Sequence, residues 1–159
     1  MLRVLNSISD ELRGFKIVVY SASVYTKLVA YFLRLPSNVD FKIHLKHTRT
    51  PDQMRELFGE SRAVIALSKS DGLPATIKEA AFTGPFPIQT DTSCAGEWFK
   101  DGVSVLLVPP DSLDALRDAI VRVLNDDQLV DSAAKFNFEV ARTRMDNLVV
   151  RKKIETIYV

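Results

Sequence analysis

Residues 63–90 read AVIALSKSDGLPATIKEAAFTGPFPIQT, and this stretch decides the fold class. Ala63 to Leu67 is short and apolar, as a strand covered on both faces must be. Ala75 to Phe82 is predicted as a helix that stops at Gly84, and Phe86 to Thr90 as a second strand. A strand, a helix and a strand in so few residues make a parallel unit with a right-handed crossover.

The same alternation extends in both directions. Upstream, Leu2, Leu5, Ile8 and Leu12 stand at helical spacing, with Gly14 as the stop. Lys16 to Ser21 (KIVVYS) predicts a strand, Val24 to Leu35 a helix ending before Pro36, and Phe41 to Leu45 a further strand. Pro51 to Phe58 predicts a helix with Thr50 as its N-cap. Downstream come a strand at Val105 to Val108 and a helix at Leu113 to Leu124. Ser112 is expected to cap that helix, and Leu113, Leu116, Ile120, Val121 and Leu124 to form its apolar side. Helices at about Gln128 to Thr143 and Asn147 to Tyr158 complete the reading. The expected architecture is α/β: a doubly wound, mostly parallel, Rossmann-like sheet with helices on both faces and a helical C-terminal segment. One domain over residues 1–159 is expected.

Composition sets the outer limits. Apolar residues are 47% and charged residues 26% of the chain, the balance of an ordinary globular domain. The 21 Lys and Arg nearly cancel 20 Asp and Glu, so no basic field is available to collect nucleic acid. Cys94 is the single cysteine, and Met1 opens no recognisable signal peptide, so a reducing, cytoplasmic location is the expectation. No apolar run approaches the length of a membrane helix. Membrane contact, at the inner face, is expected only through parts outside the chain.

The motif search excludes several chemistries. Glycines stand at 14, 59, 72, 84, 96 and 102, which fits neither a dinucleotide fingerprint nor a P-loop. No serine has the surroundings of a nucleophile elbow. His44 and His47 lie three apart without a second ligand cluster, so no metal is expected. They read as a strand residue and a loop residue.

Ligands of doubly wound sheets bind beyond the carboxyl ends of the strands, which directs attention to residues 21–23, 46–49, 68–74 and 91–97. Among these, Ser68 to Glu79 (SKSDGLPATIKE) leaves a strand, turns through Gly72 and enters a helix with Pro74 near its first position. Amides of about Ala75 to Ile77, with the positive end of the helix dipole, form an anion site. Asp71 before the helix and Glu79 in its second turn can accept from hydroxyls. Amide donors for a diphosphate and two carboxylates for sugar hydroxyls are what a nucleotide-sugar requires. The plainer reading makes Asp71 an N-cap and Glu79 a solvated helix residue.

The sequence DGLPATIKEAAFTG at 71–84 resembles the helix of glycogen-synthase-like, group 1 retaining GT-B glycosyltransferases, in which two Glu flank seven residues. The likeness runs on through PFPIQTDT at 85–92, Gly96-Glu97, Asp101-Gly102, VLLVPPD at 105–111 and Asn125 to Asp127, covering 63–127 continuously. KIVVYS and Ile157-Tyr158 fit more loosely. The resemblance implies a C-terminal, donor-binding domain of a transferase that moves a sugar from a nucleotide-diphospho-sugar to a glycan, lipid-linked or other acceptor, as in polysaccharide biosynthesis. Glu79 would hold the ribose hydroxyls and Asp71 the transferred sugar, the two being the catalytic-site pair. Gly72, Leu73, Pro74, Ala75, Thr76 and Ile77 would contact the donor, with Lys46 and His47 joining from an earlier loop. Pro74 replaces a glycine common in the family and removes one donor.

The nucleotide-sugar is substrate, and neither cofactor nor metal is implied. The family's preceding strand with its basic clamp, and its N-terminal acceptor domain, lie outside the chain. Negligible activity and weak donor affinity are therefore expected of these residues alone. Two alternatives are a sugar-nucleotide epimerase on the same scaffold and a non-catalytic flavodoxin-like regulatory domain. The latter wants acids at early strand ends, where this chain has YSAS. Trp98, Phe99 and Phe82 are expected to pack rather than bind a base. Lys69 is a candidate for phosphate or a solvated cation. Arg151, Lys152 and Lys153 resemble the helix that crosses back to the other domain, or else form a wet face.

Overall fold

The structure is a computed structural model that describes residues 1–19, 23–33, 40–43, 50–92 and 94–157. Its elements in chain order are α1 (Leu2–Ser7), β1 (Lys16–Val19), α2 (Val24–Phe32), β2 (Asp40–Ile43), α3 (Pro51–Gly59), β3 (Ala63–Ala66), α4 (Ala75–Thr83), β4 (Phe86–Thr90), α5 (Ala95–Trp98), β5 (Leu106–Val108), α6 (Leu113–Asn125), α7 (Asp127–Val140) and α8 (Asn147–Glu155). A π-helical turn, Ala141–Met145, joins the last two. The fold is the doubly wound α/β arrangement, with every strand pair parallel.

Alternation of side chains across β3 shows how the layers form. Ala63 and Ile65 pack into one core with α1 and α6, whereas Val64 and Ala66 face a second core with α3 and α4. β4 is buried at all five residues, and Phe86 and Ile88 anchor the first core. β5 repeats the pattern, with Leu106 and Val108 on the first side and Leu107 on the second.

The helix ends follow local chemistry. Thr50 and Gln53 form a reciprocal capping box at α3, with Pro51 following the cap. Ser112 accepts from the amide of Ala115 at 3.3 Å, and Asp126 from Leu129 at 2.8 Å. Gly84 ends α4 at φ +108°, a backbone that a side chain would strain. Asn137, buried in α7, donates to the carbonyl of Ser104 at 2.8 Å and ties the C-terminal helices to the sheet.

Several expectations are corrected. Among the described residues the strands form two sheets, β1-β2 and β3-β4-β5, rather than one. The opening helix ends at Ser7, and the chain turns through Gly14 at φ +84°. Leu2, Leu5, Ile8 and Leu12 are buried all the same, since turns as well as a helix can deliver them to α6. In α6 Leu116 and Ile120 are buried, Val121 and Leu124 pack half-buried on the same core, and Ala119 and Val123 join them; of the expected apolar side only Leu113, 47% exposed at the first turn, lies outside the core. Short α5 carried no sequence signal. α8 has no buried residue, and Arg151 pairs with Glu155 at 3.0 Å. No helix among the described residues is long and apolar enough to cross a membrane.

Ile88 has no exposed surface. Ile88→Ala should lower the unfolding free energy by about 2–5 kcal/mol in urea titration, and Thr50→Ala, at an exposed cap, by about 1 kcal/mol. Equal losses at the two sites would contradict this layering.

Candidate functional site

The site is built where β3, β4 and β5 end together. Beyond β3, the carbonyl of Ser68 accepts from the hydroxyl of Thr90 and, at 3.0 Å, from that of Thr92. Lys69 reaches Asp111 at 2.6 Å, so the loop after β3 is also linked to the loop after β5. Asp111 sits at φ +67°, a left-handed conformation that Asp tolerates better than most side chains. Both members of that pair are largely exposed, so its contribution to stability is small. Asp91 extends the ladder by donating to Val108 at 2.8 Å.

Asp71 to Pro74 cross from this anchored loop to α4. Gly72 has no left-handed backbone, and a Cβ on it would meet Cys94 Sγ at 3.8 Å, an ordinary contact. The turn therefore does not require glycine. Leu73 packs against the second core, and Pro74 is buried. Pro74 is the N-cap of α4 rather than its first residue, at φ −57° and ψ 141°, and no side chain caps the helix. Asp71 is thus not a cap, which removes the plainer reading of that residue. Its side chain is exposed.

The helix mouth is narrower as an anion site than the sequence predicts. Pro74 carbonyl accepts from the amides of Ile77 at 3.0 Å and Lys78 at 3.2 Å, so the Ile77 amide is engaged within the first turn. Ala75 stands at the exposed opening. Ile77, Ala80 and Ala81 are buried, whereas Ala75, Lys78, Glu79 and Phe82 form the outer stripe. Glu79 stands on that stripe. Ala75 and Glu79, four residues apart, share one face of the helix. Asp71 lies just before the same mouth. The helix N-terminus, one exposed acid before it and one on its outer stripe are therefore the parts that the structure brings to this end of the sheet. Lys46 and His47 lie outside the described residues, as does His44.

Trp98 and Phe99 take different places. Phe99 is buried in the second core, and Trp98 carries the Arg144 guanidinium 4.3 Å from its ring centroid. Arg144 also donates to the Glu97 carbonyl at 3.2 Å, fastening α5 to the π-helical turn. Phe82 is 39% exposed on α4. The Lys69–Asp111 and Thr90/Thr92–Ser68 links were not foreseen; their one sequence signal is polar residues directly after apolar strands. Among the described residues no three His, Cys, Asp or Glu gather as metal ligands.

The family model for "Glycosyl transferases group 1" matches residues 1–126. The chain belongs to this family. No curated protein matches it in sequence. In structure it is similar to HepE of Anabaena, solved with UDP-glucose, at a TM-score of 0.75 and 19% identity over 98% of this chain and 44% of that one. A glycosyltransferase of Rickettsia africae superposes at 0.72 with 19% identity, over 98% and 42% of the two chains. The pneumococcal O-GlcNAc transferase GtfA, solved with UDP and GlcNAc, gives 0.70 with 15% identity, over 98% and 31%. The chain thus spans less than half the length of these structures. At such identities the likeness establishes the fold.

Thr90→Val, which keeps the shape and removes one donor to Ser68, should cost about 1 kcal/mol in thermal or urea unfolding. Gly72→Ala should stay within about 0.5 kcal/mol of the parent. A loss of several kcal/mol at Gly72 would mean that the loop is packed differently.

Proposed function

We propose that this chain is the donor-binding half of a two-domain, retaining glycosyltransferase, and that a nucleotide-diphospho-sugar binds at the mouth of α4. The single observation that carries the reading is the outer stripe of that helix. Glu79 is exposed on that stripe four residues after Ala75, the helix start has no capping side chain, and Asp71 is exposed just ahead of it.

In this arrangement the diphosphate lies at the helix N-terminus, where the dipole and the Ala75 amide favour negative charge. Glu79 accepts from the ribose hydroxyls and Asp71 from hydroxyls of the sugar. Both carboxylates act as acceptors that fix orientation, and neither needs to exchange a proton to do so. Charge that develops on the departing diphosphate is neutralised by amides and cations placed in advance. Residues 1–159 supply one wall of that cleft, and the facing domain supplies the other together with the acceptor. The uridine nucleotides bound to HepE and GtfA make UDP-sugars the first donors to try.

The reading is tested by ligand-observed NMR of the chain with UDP, GDP, ADP and UDP-glucose. Glu79→Ala should weaken binding of the preferred nucleoside diphosphate about 10- to 100-fold, the effect of losing a hydrogen-bonded charge. Asp71→Asn should leave the bare diphosphate within about threefold and weaken only the sugar nucleotide. An unchanged nucleotide affinity in Glu79→Ala would overturn the ribose role, and efficient sugar transfer by the isolated chain would overturn the need for a second domain.

A further inference from the structure

α2 is apolar on two faces, and the fold covers only one of them. Ala30 is buried in the first core, and Val29 and Leu33 pack partly buried against it. Val24, Tyr25, Leu28, Tyr31 and Phe32 stand on the other side at spacings of three, four and seven, which joins them into one stripe. Each is between 51% and 78% exposed. The Tyr31 and Phe32 rings meet edge to face with centroids 5.7 Å apart. The helix that carries them is well formed, since Ser23 caps it by accepting from the Thr26 amide at 3.1 Å.

Charge chooses among the occupants that could cover this stripe. Residues 16–49, which contain α2, hold six of the chain's 21 Lys and Arg but only one of its 20 Asp and Glu, Asp40. This segment is therefore basic within a chain that is otherwise slightly acidic. α2 itself has no acid, and Lys27 is its one charged residue. A second copy of the chain would bring like charge to the same place, whereas an anionic lipid surface brings the opposite charge.

Size points the same way. With nine residues α2 is about 14 Å long and about 10 Å across. One face of it supplies a fraction of the roughly 800 Å² that each partner buries in a specific protein complex. A bilayer surface asks for less, because a helix lying along it sinks its apolar stripe by about 5–10 Å while neighbouring cations meet the headgroups. Tyr25 and Tyr31 suit that depth, each with an apolar ring and a hydroxyl for the wet side. The helix is too short to do anything but lie flat.

We propose that the outer stripe of α2 docks the chain on an anionic lipid bilayer, with the helix lying in the headgroup region. This brings membrane contact, expected above only through parts outside the chain, onto one of its own helices. None of the stripe's residues belongs to the α4 mouth, so the inference is independent of the nucleotide site.

The test is co-sedimentation of the isotope-labelled chain with phosphatidylcholine vesicles, made with and without phosphatidylglycerol, at low and high KCl. It compares the unmodified chain, the Tyr31→Ser/Phe32→Ser double variant, and Leu148→Ser, which removes a comparably exposed apolar side chain from α8. All three substituted positions are exposed, and amide spectra check that each variant is folded. The unmodified chain should bind the anionic vesicles at least about tenfold more tightly than the neutral ones, and the difference should shrink at high salt. The double variant should bind the anionic vesicles at least about tenfold more weakly, and Leu148→Ser should stay within about twofold of the parent. A spin-labelled lipid headgroup should broaden the amides of 24–32 and spare those of 147–155. Four results would overturn the proposal: no binding to anionic vesicles, equal binding by the double variant, broadening at α8 in place of α2, or a dimer in sedimentation equilibrium that the double variant abolishes.

Discussion

β4 is the constraint on which the rest of the molecule depends. It is hydrogen-bonded on both edges and buried at every residue, so helices must cover it on both sides. That requirement separates the chain into two apolar layers, one under α1 and α6 and the other under α3 and α4. It also fixes where β3 and β5 end, and hence where Ser68, Asp91 and Asp111 meet. The positions of α4 and of its open N-terminus are consequences of packing on Ile77, Ala80 and Ala81, not of any contact at the exposed residues.

Much of this was legible because it is local. Apolar runs of strand length, capping residues at Thr50 and Ser112, and Gly84 after a helix each act over a few residues, and the structure has an element at each. Group 1 membership was legible as a resemblance, carried by DGLPATIKEAAFTG at 71–84 and its continuation to residue 127, and not by the spacing of two acids alone. What escaped is non-local. Which strands pair is settled between distant residues, β1 with β2 and β3 with β4, and no periodicity within KIVVYS records that. The end of α1 was misread because Ile8 and Leu12 are buried through turns at nearly the same spacing that a helix would give.

At the site the balance is similar. The sequence could place two acids around a helix start, since burial alternates along α4 in a readable way. It could not foresee that Pro74 would serve as the cap, that its carbonyl would take the Ile77 amide, or that Gly72 would need no special backbone. Those depend on the loop's path, which is set by Leu73 packing into the second core and by long-range links to Thr90, Thr92 and Asp111.

The Ser68 carbonyl has two lone pairs, and the two threonine hydroxyls occupy both. It is therefore closed to any visiting molecule, and the peptide plane that carries it is clamped like the fixed leaf of a hinge. Whatever adjusts when a guest arrives must do so after that residue, within the few rotatable bonds from Lys69 to Leu73. Lengthening that span would loosen recognition without disturbing the sheet behind it.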